Sequence, residues 1–189
     1  MHKEDVLLCA VADGIASLGN GDKASYITLE ELSKVAHKDF TVKLLSDLNY
    51  RVIHTLKDMG ISSGCTLEGF KATSECVISF NIGDSRTYYV QDYNNISDPL
   101  HWDHKAGDYL INYIGYPDRE PIIKELDFYS IEKNTSILLP TDGSNNYLKK
   151  NKDSFNYYFL KENMNSFNDN TSVIYLKNYV ETISNRIII

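Results

Sequence analysis

Three short apolar runs constrain this chain more than any other feature. Residues 6–12 (VLLCAVA), 136–140 (SILLP) and 171–177 (TSVIYLK) are each too short for a core helix, and each carries an aspartate at one end. Asp13-Gly14 closes the first, Thr141-Asp142-Gly143 closes the second, and Asn168-Asp169-Asn170 leads into the third. The first, nearly continuous and closed by turn residues, predicts a strand buried on both faces; the second predicts another continuous apolar strand and the third a final strand. A further strand over residues 75–82 ends at Gly83-Asp84-Ser85. In antiparallel neighbours the end of one strand lies beside the start of the next. Asp13, Asp84, Asp142 and Asp169 can therefore fall on one rim, where loops held by strand ends build sites.

The segments between these runs read differently. Residues 22–36 predict a helix, with Asp22 as its cap and Ile27, Leu29, Leu32, Val35 and Ala36 as its apolar stripe. Residues 41–59 predict a second, in which Leu45, Leu48, Val52, Leu56 and Met59 step by three or four and Gly60 ends the helix. Two helices with a short link suit one face of a sheet. Residues 65–72, 75–82 and 86–91 predict a meander of three strands joined by turn residues. A helix over 103–114 ended by Gly115, a strand over 122–129 and helices within 147–165 complete the reading, with the apolar residues 186–189 left open. Strands and helices come in blocks rather than in βαβ alternation, and no linker or repeat interrupts them. The expectation is one α+β domain over residues 1–189.

Charge and cysteine usage narrow the partners. The formal net charge is −7, which argues against a nucleic-acid backbone as partner, since phosphate binding needs clustered Lys and Arg. Three cysteines, Cys9, Cys65 and Cys76, make no disulfide framework and no zinc spacing. Cys9 and Cys76 lie in apolar runs and read as core. No signal-peptide pattern and no transmembrane-length stretch is present, so the expected location is the cytoplasm, away from a membrane.

Four carboxylates on one rim repel one another and would raise each other's pKa. A divalent cation removes that conflict, and hard oxygen donors suit magnesium or manganese. For any single aspartate, a turn-closing role is the simpler reading; it is the combination that points to metal.

The residues around these aspartates resemble the metal-dependent protein phosphatases, the type-2C serine/threonine family. AVADGIASLGNGDKAS (10–25) is similar to that family's Asp-Gly metal motif running into its first helix. SGCTLEGF (63–70) resembles its Gly-Ser/Cys-Thr strand, and FNIGDSRTYYV (80–90) its Gly-Asp-Ser-Arg turn, the most specific match. DHK (103–105), NYIG (112–115), LLPTDGSNN (138–146) and NDNTSVIYL (168–176) follow in family order. The resemblance implies a four-layer α-β-β-α sandwich, two packed antiparallel sheets flanked by helix pairs. It implies two manganese or magnesium ions at the sheet edge. Asp13 would bridge both, the Gly14 carbonyl would serve one, Asp142 and Asp169 would hold the other, and Asp84 is a candidate for a third. The implied reaction is hydrolysis of phosphoserine or phosphothreonine in a phosphoprotein or phosphopeptide by a metal-activated water. No nucleophilic side chain is needed, and His104 reads as structural rather than as a general acid.

The sequence departs from the family pattern in places. The family's N-terminal Arg and Glu-Asp pair have no counterpart. Asp5 lies only eight positions before Asp13, too few for a strand, a turn and a return strand at roughly five residues per strand. That puts the support of the second ion at risk. Arg86 is the one motif-linked arginine, the flap between residues 103 and 116 is short, and Asn146 stands where many members carry another Asp. Ala16 and Ser17 replace glycines. These departures leave a second expectation, a phosphatase-like module that binds metal or a partner with little turnover.

Overall fold

The fold is described by a computed structural model in which residues 7–72, 76–91, 95–101, 105–106, 109–117, 122–127, 135–141, 148, 173–176 and 187–188 are defined. β1 (Leu7–Val11) pairs antiparallel with β2 (Leu67–Ala72), β2 with β3 (Cys76–Ile82), and β3 with β8 (Ile122–Asp127). β11 (Ile187–Ile188) adds to the free edge of β1 in parallel. The second sheet runs β10 (Val173–Leu176), β9 (Thr135–Pro140), β4 (Tyr88–Gln91), β5 (Asn95–Ile96), antiparallel throughout. β6 (Lys105–Ala106) and β7 (Tyr109–Leu110) form a separate two-stranded ribbon.

The period of two along each strand sorts side chains between two interiors. Every residue of β1 is buried. Leu8 and Ala10 face the helices, while Leu7, Cys9 and Val11 meet Phe70, Val77, Ile137 and Leu139 between the sheets. On the far side of the second sheet, Tyr88, Val90, Ile96 and Leu138 gather around Leu148. Helix pair, sheet and sheet thus follow one another. The expected further helices over 147–165 lie, apart from Leu148, outside the described residues.

α1 (Gly21–Lys34) and α2 (Val42–Asp58) cover the first sheet. Leu45, Leu48 and Val52 are wholly buried, each worth about 1.5–3 kcal/mol in apolar surface removed from water. Thr41 starts α2 by accepting the Leu44 N–H at 3.1 Å. Gly60, at φ 69°, closes it: its N–H reaches Lys57 O and that of Ile61 reaches Leu56 O, both at 2.9 Å, the Schellman pattern. Arg51 of α2 engages Glu31 of α1 and ties the helices at the surface, while Lys34 pairs with Glu31 within α1.

Several expectations are corrected. α1 starts at Asn20, whose φ is 52°, and Asp22 falls inside the first turn instead of capping it. Met59, placed in the apolar stripe from its spacing, is the C-cap of α2 and 53% exposed, because the helix has ended beneath it. The three-strand meander holds only for β2 and β3; β4 leaves for the second sheet. The expected helix over 103–114 is replaced by the β6–β7 ribbon. Gly115 therefore ends no helix. It sits at φ 103°, where an added Cβ would lie 3.0 Å from Gly64 Cα, and its N–H donates to Asn49 Oδ1 at 2.8 Å.

Candidate metal centre

Asp13 and Gly14 occupy the point where β1 stops being a strand. The Thr66 N–H donates to Asp13 O at 2.8 Å and the Ile15 N–H to Gly64 O at 2.9 Å, so Gly14 faces Cys65 as an antiparallel bridge. These bonds flank Gly14, making Gly14–Cys65 the non-hydrogen-bonded kind of pair, in which a residue's own N–H and C=O turn away from its partner strand. Cys65 spends its own N–H and C=O on Ile114, at 3.0 and 2.8 Å. The Gly14 carbonyl is thus directed off the ladder, leaving it open to a hard cation as a backbone oxygen donor.

Gly14 is glycine because α1 starts against it. A Cβ on Gly14 would lie 2.5 Å from Gly21 O and 2.7 Å from Gly21 Cα. A short 3-10 turn, Ala16–Leu18, carries the chain from one glycine to the other. Ser63 Oγ pins that turn by donating to Gly19 O at 2.5 Å.

Asp84 stands in the turn by which the chain leaves β3. It is buried, at 5% exposure. Gly83 precedes it at φ 125°, a conformation that favours glycine, and Thr66 packs against the place where a Cβ would stand. Thr66 also links Asp13 to the residue that follows Asp84: its Oγ1 accepts the Asp13 N–H at 3.2 Å and lies 2.8 Å from Ser85 Oγ. Behind the turn lies a polar cluster between the sheets. Glu68 accepts from Asn81 Nδ2 and from Thr87 Oγ1. Asn81 Nδ2 also donates to Ser85 O at 2.9 Å. His101 Nε2 is 2.7 Å from Ser79 Oγ and 4.0 Å from Glu68 Oε1. Burial pushes the Glu68 carboxyl well above its ordinary range, although its hydrogen bonds from Thr87 and Asn81 oppose this.

Asp142 and Asp169, together with Asp103, His104 and Asn146, lie outside the described residues. The described strand ends nearest to them in sequence meet. Pro140, at the end of β9, is the register partner of Val173, at the start of β10. The Arg86 N–H donates to Pro140 O at 3.3 Å, which brings the Asp84 turn to the same corner. β1 lies against both β9 and β10 across the inter-sheet core. Among the described residues no group of three or more Asp, Glu, His or Cys side chains forms a metal cage by itself. What is described, Asp13 and the outward carbonyl of Gly14, fits part of an oxygen donor set for a hard cation.

Sequence reasoning passed over the residues behind the aspartates. Thr66 and Ser85 sit inside motifs whose signal lies in their neighbours. Glu68 and Lys71 carried a signal of their own, two charged residues in a strand buried at every position. Lys71 satisfies its ammonium by donating to Lys38 O at 2.6 Å beneath the Phe40 ring. Cys9 and Cys65 are buried free thiols, raised by burial to about 11 and about 12, and act as core. No helix among the described residues is long and apolar enough to cross a membrane.

No curated protein matches the chain. Among solved structures, Stp1, a serine/threonine phosphatase from Staphylococcus aureus, superposes with a TM-score of 0.72 at 17% identity, over 93% of this chain and 87% of its own. The catalytic domain of the serine threonine protein phosphatase PstP, solved with two manganese ions, gives 0.68 at 16%, over 94% and 92%. PppA, a regulatory component of T6SS in Pseudomonas aeruginosa, gives 0.60 at 21%, over 77% and 72%. At these identities the likeness establishes the fold. The family model for protein phosphatase 2C matches residues 1–181, and the chain belongs to the protein phosphatase 2C family.

Proposed function

We propose that this chain is a manganese- or magnesium-dependent phosphatase that hydrolyses phosphoserine or phosphothreonine in protein substrates. The observation that carries the reading is the backbone at Gly14, whose carbonyl turns off the ladder beside Asp13. Family membership supports the reaction class, and the two manganese ions of PstP support the choice of cation. When bound, the ions supply the Lewis acidity that activates water and offsets charge on the phosphoryl group. Asp13 would bridge two ions, the Gly14 carbonyl would serve one, and Asp142 and Asp169 would hold the other. Asp84, backed by the Ser85–Thr66 contact, is the candidate for a further ion. The chain's own contribution is to present Asp13, the Gly14 carbonyl and Asp84 from backbone already held by hydrogen bonds before substrate arrives.

A second reading is favoured by the arginines. Among the described residues, Arg86 is buried and its backbone is tied to Pro140, while Arg51 engages Glu31. A metal-binding module with little turnover would need no arginine for phosphate. The purified chain with millimolar manganese separates the two. Hydrolysis of a small aryl phosphate and of a phosphothreonine peptide, both lost in Asp13→Ala, supports the phosphatase. A manganese-dependent rise in melting temperature without hydrolysis supports the module. If manganese neither stabilises the chain nor supports hydrolysis, the metal site itself is rejected.

A further inference from the structure

Glu68 is a costly residue to keep where it is. It is 0% exposed, on the face of β2 turned toward the second sheet. A valine or leucine there would pack without any desolvation penalty, and a buried carboxyl must be repaid through its hydrogen bonds. Those bonds have a pattern. Asn81 is the last polar residue of β3 before the Asp84 turn, and Thr87 is the residue just before β4. By holding both, Glu68 clamps the two ends of the crossing from one sheet to the other.

The clamp continues outward. Asn81 passes from Glu68 to Ser85 O, Ser85 Oγ meets Thr66 Oγ1, and Thr66 Oγ1 takes the Asp13 N–H. Every link is a hydrogen bond between buried or half-buried groups. Asp84 is carried on the clamped turn, and Asp13 stands at the far end of the chain of bonds. We propose that Glu68 is a positioning residue for the metal rim, fixing the spacing of Asp13 and Asp84 through Asn81, Thr87, Ser85 and Thr66. It touches neither ion nor substrate. The inference rests on the reading of Asp13 as a metal ligand.

The test measures the dissociation constant for manganese alone, by calorimetry, on the full chain. Glu68→Leu keeps the volume and removes both acceptors; affinity is expected to weaken about tenfold, the low end for groups that orient metal ligands. Glu68→Gln keeps an acceptor for Asn81 and is expected to recover affinity to within about threefold of wild type. Ser85→Ala interrupts the chain at a small hydroxyl, with low risk to folding, and is expected to weaken manganese binding as well. A role confined to folding would lower the melting temperature of the metal-free protein and leave the manganese constant unmoved. Folded Glu68→Leu binding within about twofold of wild type overturns the proposal. If Glu68→Leu does not fold, Ser85→Ala at wild-type affinity overturns it equally. A wild type that binds no manganese rejects the metal site and this proposal together, an outcome distinct from either.

Discussion

Gly14→Ala tests whether the end of β1 and the start of α1 form one rigid corner. The added methyl would sit 2.5 Å from Gly21 O and 2.7 Å from Gly21 Cα, with the Gly21 carbonyl carbon closer still. Ordinary contact begins near 3.4 Å, so the two backbones must part by roughly 1 Å, and neither side has a flexible side chain to yield. Overpacking of this kind costs about 1–3 kcal/mol, and a backbone-on-backbone clash belongs at about 3. At about 2–4 °C per kcal/mol for a chain of this size, the melting point should fall by about 6–12 °C. Gly60→Ala is the control. Its φ is 69° and nothing lies within 4 Å of the added methyl, so it meets only the left-handed backbone cost of about 1 kcal/mol. Thermal unfolding followed by circular dichroism in excess chelator keeps metal binding out of the comparison. If Gly14→Ala melts no lower than Gly60→Ala, the corner is not the close-packed joint described above.

Other expectations concern the frame around the rim. Phe80→Ala, which empties a wholly buried site against the Phe40 ring, should cost about 3–5 kcal/mol in urea unfolding. Thr41→Ala removes the side-chain cap of α2 and should cost about 1 kcal/mol by the same measurement. Burial raises the Glu68 carboxyl well above its ordinary 4.5, with His101 the facing titratable group at 4.0 Å. The folded state therefore keeps a proton that the unfolded chain releases. That stabilisation is whole below pH 4.5 and is lost as pH rises through the folded value. Wild-type stability relative to Glu68→Gln should decline across that window, and a flat difference would mean that Glu68 titrates normally.

The apolar runs made much of this fold legible. β1, β2, β3, β9 and α2 follow directly from burial on one face or two, because in those elements the period is set by packing. Residues 103–114 failed for a specific reason. Ala106, Tyr109, Leu110 and Ile114 fit helical spacing, but Gly107-Asp108 in their middle is a turn dipeptide, and a two-residue separation suits a hairpin. The departure of β4 was hidden because Gly83-Asp84-Ser85 reads equally as a hairpin turn or as a crossing between sheets. Only the register of β4 with β9 distinguishes them. At the candidate site, Asp13 and Gly14 were visible as a strand-closing pair. The supports behind them were not, since Thr66, Ser85 and Asn81 act through partners far away in sequence.

The seam of Gly14, Cys65 and Ile114 has a consequence for the order in which the protein folds. Its three members lie roughly fifty positions apart, so no local segment can assemble it, and two large loops must close first. α2 can form early from its own cap and stripe, whereas this corner must await the chain from both sides. Recovery of manganese affinity during refolding should therefore lag the recovery of helical signal. The metal rim would then report on the completion of folding itself.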